Sequence, residues 1–364
     1  MSYHLPLQPK DFASAAEPRW CPGCGDYSIL AQLKKVLAGL NLPREQFVFL
    51  SGAGCAARLP HYLRTYSFQT LPGRGLAVAW GLKKVRPDLH VWVVGGEGDL
   101  LLRGANHLLQ IIQHNIDIKI LFINNEILGQ SRGQASPTSR TGTRTPTTPS
   151  GVSHAQLRPA VVALSADCRF VARTLDVDID HLAATLDRAA RYEGTAFVEV
   201  YQNCNIFNPY AFAYVSDQAV RLDNVLYVEH GQALIFGKDR DRTIIWRGPR
   251  PEVVPCAEVP SEQRCLHDET LEDPTYALSL ARWTQSESAN SLPEVLGVLR
   301  AVPSVSSALS SCALSSFTAS SSERMAPTTE TLPHVASVLA KRWQQGAIVV
   351  PPLDQEHEHA LPLL

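Results

Sequence analysis

The sequence predicts an α/β protein with a doubly wound parallel sheet and a smaller C-terminal extension. Its 364 residues are enough for about two domains. From residue 20 to about residue 201, stretches with helical spacing alternate with short apolar strands, which is typical of parallel strands joined by crossover helices. Glycine and polar residues follow these strands, and such sheets bind ligands at the carboxyl ends of their strands. The sequence therefore places function in the loops that follow the strands.

The predicted helices and strands follow one another in a regular order. A long stretch at 129–151, rich in Ser, Thr, Gly, Pro and Arg, interrupts this order, and its length is typical of a functional or disordered loop. Each predicted helix precedes its strand: helix 26–40 precedes strand 47–50, helix 75–85 precedes strand 89–94, helix 105–114 precedes strand 118–123, and helix 179–191 precedes strand 196–201.

The same pattern divides the chain into four segments. Residues 18–214 form the predicted sheet domain, which an N-terminal arm at 1–17 precedes. Residues 215–300 contain shorter pieces and are predicted to form a small extension with β-strands. Serine makes up about half of residues 303–322, a composition that buries little apolar surface. We therefore predict a flexible tail at 301–364, with one short helix at 332–344.

Composition excludes several classes of protein. Lys and Arg number 33 against 35 acidic residues, a formal charge of −2, so no nucleic-acid partner is indicated. The apolar runs are far shorter than the ~18 residues that a membrane span needs, so we expect no membrane segment. The N-terminus shows no export signal. We expect a cytoplasmic protein, whose eight cysteines are reduced thiols available to a metal or cluster.

Two strand ends carry the groups of a metal site. Strand 89–94 is followed by Gly-Gly-Glu-Gly-Asp and strand 118–123 by Asn-Asn-Glu-Ile. Glu97 and Asn125 therefore lie one crossover apart, at the same edge of the sheet. Oxygen ligands suit Mg²⁺, which commonly completes its shell with water and phosphate. The glycines beside Glu97, and the helix that begins after Asp99, favour a diphosphate at this edge.

A glycine-acid-glycine triplet followed at this distance by Asn-Asn is a fingerprint of thiamin diphosphate enzymes. With the surrounding motifs, the chain resembles the β subunit of 2-oxoacid:ferredoxin oxidoreductases over about residues 18–300. The motifs that carry this resemblance are WCPGCGDY at 20–27, SGAGCAARLP at 51–60, GEGD at 96–99, GANH at 104–107, NNEILGQSRGQASPTS at 124–139, QNCNIFNPY at 202–210, EHGQALIFGKDRD at 229–241 and LHDET at 266–270.

The resemblance implies the thiamin diphosphate-binding fold and three cofactors: thiamin diphosphate, Mg²⁺ and one 4Fe-4S cluster. It implies that Mg²⁺ is held by Glu97, Asn125 and the carbonyl of Ile127. The cluster ligands that it implies are Cys21, Cys24, Cys55 and Cys204, and the cofactor-binding residues are Ser51, Gly54, Cys55, Gly96, Gly98, Asp99 and Gly129.

The cysteines also allow other interpretations. Spacing alone leaves open a structural zinc site or four inert thiols, because one Cys-x-x-Cys pair with two separate cysteines is neither a zinc motif nor a ferredoxin motif. The resemblance favours the cluster. The remaining cysteines are interpreted as ordinary thiols: Cys168, Cys256, Cys265 and Cys312.

The chain departs from the pattern of this family at several positions near the site. Glu97 replaces aspartate, and Gln69 and Pro72 replace two histidines. Leu128 stands where an aromatic residue is frequent. Arg132 replaces lysine, and because arginine binds a carboxylate bidentately, we expect Arg132 to contact the substrate carboxylate or to be a solvated loop cation.

The resemblance implies one half of a heterodimeric enzyme that converts a 2-oxoacid and coenzyme A to an acyl-CoA and reduces ferredoxin. An α subunit would supply the glutamate for the aminopyrimidine ring and the coenzyme A site, so this chain is expected to be active only with that partner. The alternative is a non-catalytic paralogue that acts in electron transfer or assembly, which the departures favour. A thiamin enzyme without electron transfer is disfavoured by the four cysteines.

Overall fold

The computed structural model describes residues 7–248, 250–283 and 292–303. They all belong to the first of two compact units, residues 1–313, and the second unit, residues 314–364, lies outside the described residues. The predicted arm at 1–17 is described from residue 7 onward. Of the predicted tail at 301–364, only the first three residues are described, so the predicted helix at 332–344 lies outside the described part of the chain.

The described strands form one large sheet and two small ones. In chain order they are β1 (Phe47–Ser51), β2 (Tyr66–Gln69), β3 (His90–Gly96), β4 (Ile118–Asn124), β5 (Ile127–Leu128), β6 (Gln134–Ala135), β7 (Phe170–Leu175), β8 (Ala196–Tyr201), β9 (Val225–Val228), β10 (Ile235–Phe236), β11 (Arg242–Arg247), β12 (Arg250–Pro255) and β13 (Glu294–Ala301).

The large sheet has eight strands in the order β2-β1-β3-β4-β8-β7-β13-β9. Its neighbouring strands are parallel except for β13, which pairs antiparallel with β7 and parallel with β9. The register pairs Val93 with Ile120 and Ile120 with Phe197, so β3, β4 and β8 end at the same edge. Antiparallel pairs make the small sheets, which are β10-β11-β12 and β5-β6.

Helices cover the large sheet on both faces, as expected for strands that are buried on both sides. None of the helices among the described residues has the length and apolar character to cross a bilayer. In chain order the helices are α1 (Asp26–Gly39), α2 (Gly75–Val85), α3 (Ala105–Gln113), α4 (Pro159–Ser165), α5 (Ile179–Arg191), α6 (Ala213–Ser216), α7 (Gln218–Asn224) and α8 (Thr275–Arg282).

Alternating strand residues build the two hydrophobic cores. On β3, Val91 and Val93 pack in the core that α2, α3, α4 and α8 cover, whereas Trp92 and Val94 pack in the core that α1 and α5 cover. The covering helices bury one stripe each. On α5, for example, Leu182, Leu186 and Ala189 are fully buried at helical spacing. The sheet is therefore held rigidly from both sides, and its strand ends are fixed.

The predicted α/β fold is confirmed, and all four predicted helix–strand pairs are present within two residues of their expected bounds. The prediction omitted α4 and β7, which lie between the long loop and α5. The predicted C-terminal extension at 215–300 contributes β9 and most of β13 to the large sheet. The division of the chain into domains stays a prediction. Short β-strands in the extension are present as β10, β11 and β12.

A buried cluster of charges joins the late strand β13 to the parallel sheet. Arg173 on β7 donates to Glu199 on β8 at 2.9 Å and to Glu294 on β13 at 2.7 Å, and all three side chains are at most 1% exposed. Tyr201 and Tyr214 donate to the two oxygens of Glu294, each at 3.0 Å. One buried cation therefore pairs with two buried carboxylates from strands that are distant in sequence.

We predict that Arg173→Met destabilises the fold strongly. The substitution leaves two carboxylates buried without a cation, which costs about 3–5 kcal/mol in comparable sites. The free energy of unfolding in urea measures this cost. The matched control is Arg191→Met on α5, where the pair with Asp187 is half exposed and contributes about 0.5 kcal/mol or less. Equal losses in the two variants would contradict the prediction.

Candidate functional site

A cavity of about 440 Å³ opens at the carboxyl end of the sheet. The loops after β1, β3 and β4 form its walls, as expected for a doubly wound sheet. All three predicted magnesium ligands line it, namely Glu97, Asn125 and Ile127. So do the predicted cofactor-binding residues Gly54, Cys55, Gly96, Gly98, Asp99 and Gly129. Ser51 and Arg132 do not line it.

Glu97 joins the ends of β3 and β4. Its Oε1 accepts the backbone N–H groups of Asn125 and Glu126, both at 2.7 Å, and lies 3.2 Å from the Thr138 hydroxyl. The side chain is 3% exposed. Burial raises the pKa of Glu97 to about 7, against the lowering effect of these hydrogen bonds. Oε2 takes no part in these three bonds, so one carboxylate oxygen holds the loop and the other is left for a cation.

Asn125 and Ile127 present oxygens to the same cavity. Asn125 Oδ1 accepts the N–H of Ile127 at 3.2 Å, and the Ile127 carbonyl accepts the N–H of Gly129 at 3.1 Å. The turn between them needs a left-handed residue, which is Glu126 with φ 58°. A carboxylate, an amide oxygen and a carbonyl on adjacent loops are donors that suit Mg²⁺. The donor set therefore fits the ion that the sequence predicts.

Glu126 stabilises this turn from below the cavity, a role that sequence reasoning missed. Its carboxylate accepts from Arg140 Nε at 3.0 Å and from Gln156 Nε2 at 2.9 Å. Burial raises its pKa to about 7, and the charge of Arg140 opposes that shift. The long loop at 129–151, from which Arg140 comes, therefore folds back onto the Asn125 turn.

Asp99 accepts hydrogen bonds from two loops on the other side of the cavity. Its Oδ2 accepts the N–H of Gly52 at 3.0 Å, and its Oδ1 accepts the N–H of Gly73 at 2.6 Å. A side chain at position 52 would meet the carboxylate at 2.0 Å, so only glycine allows this approach. The carboxylate is thus used to hold backbone. Ser51, the last residue of β1, is buried, and its carbonyl accepts the N–H of Thr70 at 2.8 Å.

Gly129 lines the cavity and lies beside two of the predicted cluster cysteines. A Cβ atom at this position would lie 3.5 Å from Cys204 Sγ and 3.7 Å from Cys55 Sγ, so the missing side chain leaves space beside both thiols. Cys55 also lies within electrostatic range of Cys21 and Cys24. Cys55 and Cys204 therefore lie beside Gly129 at the cavity, and Cys21 and Cys24 lie in the neighbourhood of Cys55.

Four thiols can serve a structural zinc ion or an iron–sulfur cluster, and the two need different geometries. In the part of the chain that is described, no three His, Cys, Asp or Glu side chains form a group that could hold one metal ion. A tetrahedral zinc site needs sulfurs within about 2.3 Å of one atom. A 4Fe-4S cluster is a larger body that takes one thiolate on each iron, so its ligands do not converge on a single atom.

Cys24 and Cys55 are partly buried and lie near the carboxylate of Asp26. Burial raises the pKa of Cys55 to about 11, and the nearby carboxylate of Asp26 adds to that shift. Burial and Asp26 also raise the pKa of Cys24 well above its usual range. Trp20 closes one side, where its indole N–H donates to the Cys55 carbonyl at 3.0 Å. Asp26 belongs to the WCPGCGDY motif, and its burial leaves no signal in the sequence.

The positions that depart from the family pattern lie around the cavity mouth. Arg132 is exposed and has a left-handed backbone, φ 59°, in the turn between β5 and β6. Its neighbour Ser131 lines the cavity. Pro72 and Leu128 also line it, and Leu128 packs against Gly98. Gln69 is exposed and donates to the Gly52 carbonyl at 3.4 Å.

Comparison with protein families and curated proteins points in one direction. A family model described as "Thiamine pyrophosphate enzyme, C-terminal TPP binding domain" matches residues 52–200. "2-oxoglutarate oxidoreductase subunit KorB" of Mycobacterium tuberculosis is 41% identical over 295 residues, 81% of this chain and 78% of that protein. "2-oxoacid:ferredoxin oxidoreductase 1, subunit beta" of Aeropyrum pernix is 38% identical over 206 residues, which cover 56% of this chain and 65% of that protein.

A solved structure agrees with these matches. It is described as 2-oxoglutarate:ferredoxin oxidoreductase from Magnetococcus marinus with 2-oxoglutarate, coenzyme A and succinyl-CoA bound. The two chains superpose with a TM-score of 0.64 at 25% sequence identity, covering 96% of this chain and 95% of the other.

Proposed function

Because the chain belongs to the family of 2-oxoacid:ferredoxin oxidoreductase β subunits, we propose that it is one half of an enzyme that oxidatively decarboxylates a 2-oxoacid. The products would be an acyl-CoA, CO₂ and reduced ferredoxin. The observation that carries the proposal is the position of Gly129, which lines the diphosphate-sized cavity and lies beside the thiols of Cys55 and Cys204. A decarboxylating cofactor and an electron acceptor would then be neighbours.

The cavity would hold thiamin diphosphate and Mg²⁺. Glu97 Oε2, Asn125 Oδ1 and the Ile127 carbonyl would ligate the ion, while the glycine backbone at 96 and 98 would lie against the diphosphate. When bound, thiamin diphosphate supplies a carbanion that attacks the keto carbon and stabilises the charge left by CO₂. The role of this chain is to keep the Asn125 loop in place through Glu97 Oε1.

The four cysteines would hold one 4Fe-4S cluster, which accepts and releases single electrons. Cys21 is exposed, whereas Cys24, Cys55 and Cys204 are partly buried. The cluster would therefore face the cavity on the side of Cys55 and Gly129 and face the surface on the side of Cys21. This arrangement would give electrons a short route from the cavity to ferredoxin.

The rest of the active site would come from a partner. The family resemblance implies an α subunit that supplies the aminopyrimidine glutamate and the coenzyme A site, so the functional unit would contain a heterodimer. We place the enzyme in the cytoplasm, where thiols stay reduced. The M. tuberculosis relative is named for 2-oxoglutarate, and the M. marinus structure holds that acid. We therefore propose 2-oxoglutarate as the substrate and Arg132 as a contact to its carboxylate.

We predict that Glu97→Gln weakens thiamin diphosphate binding at least about tenfold when Mg²⁺ is limiting, as expected for loss of about 1.4 kcal/mol. Glutamine keeps an oxygen for the Asn125 and Glu126 N–H groups but loses the charged ligand. Isothermal titration at several Mg²⁺ concentrations measures the effect. Glu97→Asp keeps the charge and should bind better than Glu97→Gln, and exposed Glu262→Gln is the control. Equal affinities for wild type and Glu97→Gln would remove Glu97 from the ion site.

We predict that Cys204→Ser lowers the iron and acid-labile sulfide content of protein purified without oxygen. A serine hydroxyl is a poor ligand for a cluster that thiolates hold. Iron and sulfide assays, with visible absorption and EPR spectra, measure the loss. The matched control is Cys256→Ser, at a partly buried cysteine outside the predicted set. Stoichiometric zinc without sulfide in the wild-type protein would refute the cluster.

We predict that Arg132→Ala lowers kcat/KM for 2-oxoglutarate. The expected decrease corresponds to a loss of about 2–4 kcal/mol of transition-state stabilisation, as for a lost charged pair. Cluster and thiamin diphosphate contents should not change. Arg240→Ala is the control, because Arg240 is also an exposed arginine with left-handed φ, 53°. If Arg132→Ala matches its control, Arg132 is a solvated cation. A complex that holds both cofactors but turns over no 2-oxoacid would instead support the non-catalytic alternative.

A further inference from the structure

Gln202 lies between the two proposed cofactor sites. It follows β8, is 2% exposed, and its backbone N–H donates to the Asn124 carbonyl at 2.9 Å. Its amide has one partner on each side. Oε1 accepts from Asn125 Nδ2 at 3.3 Å, and Nε2 donates to Asp26 Oδ1 at 3.0 Å. One buried side chain therefore contacts both the diphosphate loop and the turn that carries Cys24.

The carboxylate of Asp26 sets the direction of the whole hydrogen-bond chain. A carboxylate only accepts hydrogen bonds, so Gln202 turns Nε2 toward Asp26 and Oε1 toward Asn125. Oε1 needs a donor, so Asn125 turns Nδ2 toward Gln202. The other end of the Asn125 amide, Oδ1, then lies on the side of the Ile127 N–H, 3.2 Å away. Gln202 Oε1 and the Ile127 N–H thus hold the Asn125 amide from its two ends, in the orientation that offers an oxygen, rather than an NH₂ group, to the cation.

The other end of this hydrogen-bond chain reaches a predicted cluster ligand. Asp26 is fully buried, and its Oδ2 lies 3.6 Å from Cys24 Sγ. A cysteine that binds iron has lost its thiol proton, so it no longer donates to Asp26. Gln202 Nε2 then remains as a donor to this carboxylate. Charge and hydrogen bonds around the sulfurs set the potential of a cluster.

We propose that Gln202 is a positioning residue for both cofactor sites: it holds the Asn125 oxygen toward Mg²⁺ and offsets the Asp26 charge beside Cys24. The inference rests on the proposed function, because both groups must be bound for it to operate. Buried hydrogen bonds in a chain polarise one another, so a change at the central amide is transmitted to both ends. Removing that amide should therefore affect two measurements that a merely structural residue would not move together.

The test uses Gln202→Leu in the full-length chain, co-purified without oxygen with its partner subunit and measured at pH 8. We expect the Kd for thiamin diphosphate at limiting Mg²⁺ to rise at least tenfold, because the Asn125 amide loses the acceptor of its Nδ2 and keeps only the Ile127 N–H as a partner. We also expect the midpoint potential of the cluster to fall, because Asp26 loses a donor. An EPR-monitored redox titration should show at least a threefold change in the ratio of oxidised to reduced cluster at a fixed potential.

A second variant tests the two ends of the hydrogen-bond chain separately, and a third variant is the control. Gln202→Glu keeps an acceptor for Asn125 but sets a second acid against Asp26. We expect it to bind thiamin diphosphate within twofold of wild type while its cluster potential falls. The matched control is Gln32→Leu, which removes another buried glutamine, 5% exposed, on α1. It should leave the Kd and the potential unchanged.

The outcomes distinguish failure of this inference from failure of the proposed function. If Gln202→Leu keeps its cofactors and changes neither quantity, or only one of them, the inference is wrong. Should Gln202→Leu fail to fold, an unchanged potential in Gln202→Glu overturns the inference, and a lowered potential with normal thiamin diphosphate affinity supports it. A wild-type complex that holds no cluster or no thiamin diphosphate refutes the proposed function instead, which composition assays show before any variant is made.

Discussion

The site depends on one carboxylate oxygen. Glu97 Oε1 accepts two N–H groups at 2.7 Å from the loop after the neighbouring strand, so the ends of β3 and β4 move as one body. The Thr138 hydroxyl lies near both Glu97 and Asn124, and Asn124 Nδ2 donates to Glu199 at 2.8 Å. Glu199 in turn pairs with Arg173. The cavity floor is therefore connected to the buried charges at the centre of the sheet.

Asp99 plays the corresponding role on the opposite wall. It holds Gly52 and Gly73, which belong to the loop after β1 and to the loop before α2. Two buried acids thus fix the loops that surround the cavity, and each acid accepts two backbone N–H groups. Backbone N–H groups are available whatever the sequence, so residues facing the cavity can change without loss of the frame. A rigid frame with a variable lining is suited to a family that acts on different 2-oxoacids.

The sequence predicted the parts of the molecule that have a local signal. Helical and strand periodicity is local, so α1, α2, α3 and α5 and their strands were found. A thiol motif is also local, and the sheet topology explains how Cys204 meets the Cys21–Cys24 turn. Pairing across long separations leaves no such signal. The antiparallel β13 and the contact between Asp26 and Gln202, 176 residues apart, could therefore not be predicted.

The hydrogen bonds around the cavity explain what the departures at Gln69 and Pro72 change. Their loop is held by its backbone: Thr70 N–H donates to the Ser51 carbonyl at 2.8 Å, and Gly73 N–H donates to Asp99 at 2.6 Å. Neither bond needs a histidine. Replacing the two histidines therefore changes what the loop presents beside the cavity, which Pro72 lines, and leaves both of these backbone bonds in place. The departures at these two positions bear on the surface of the cavity, whereas the positions of its loops depend on Glu97 and Asp99.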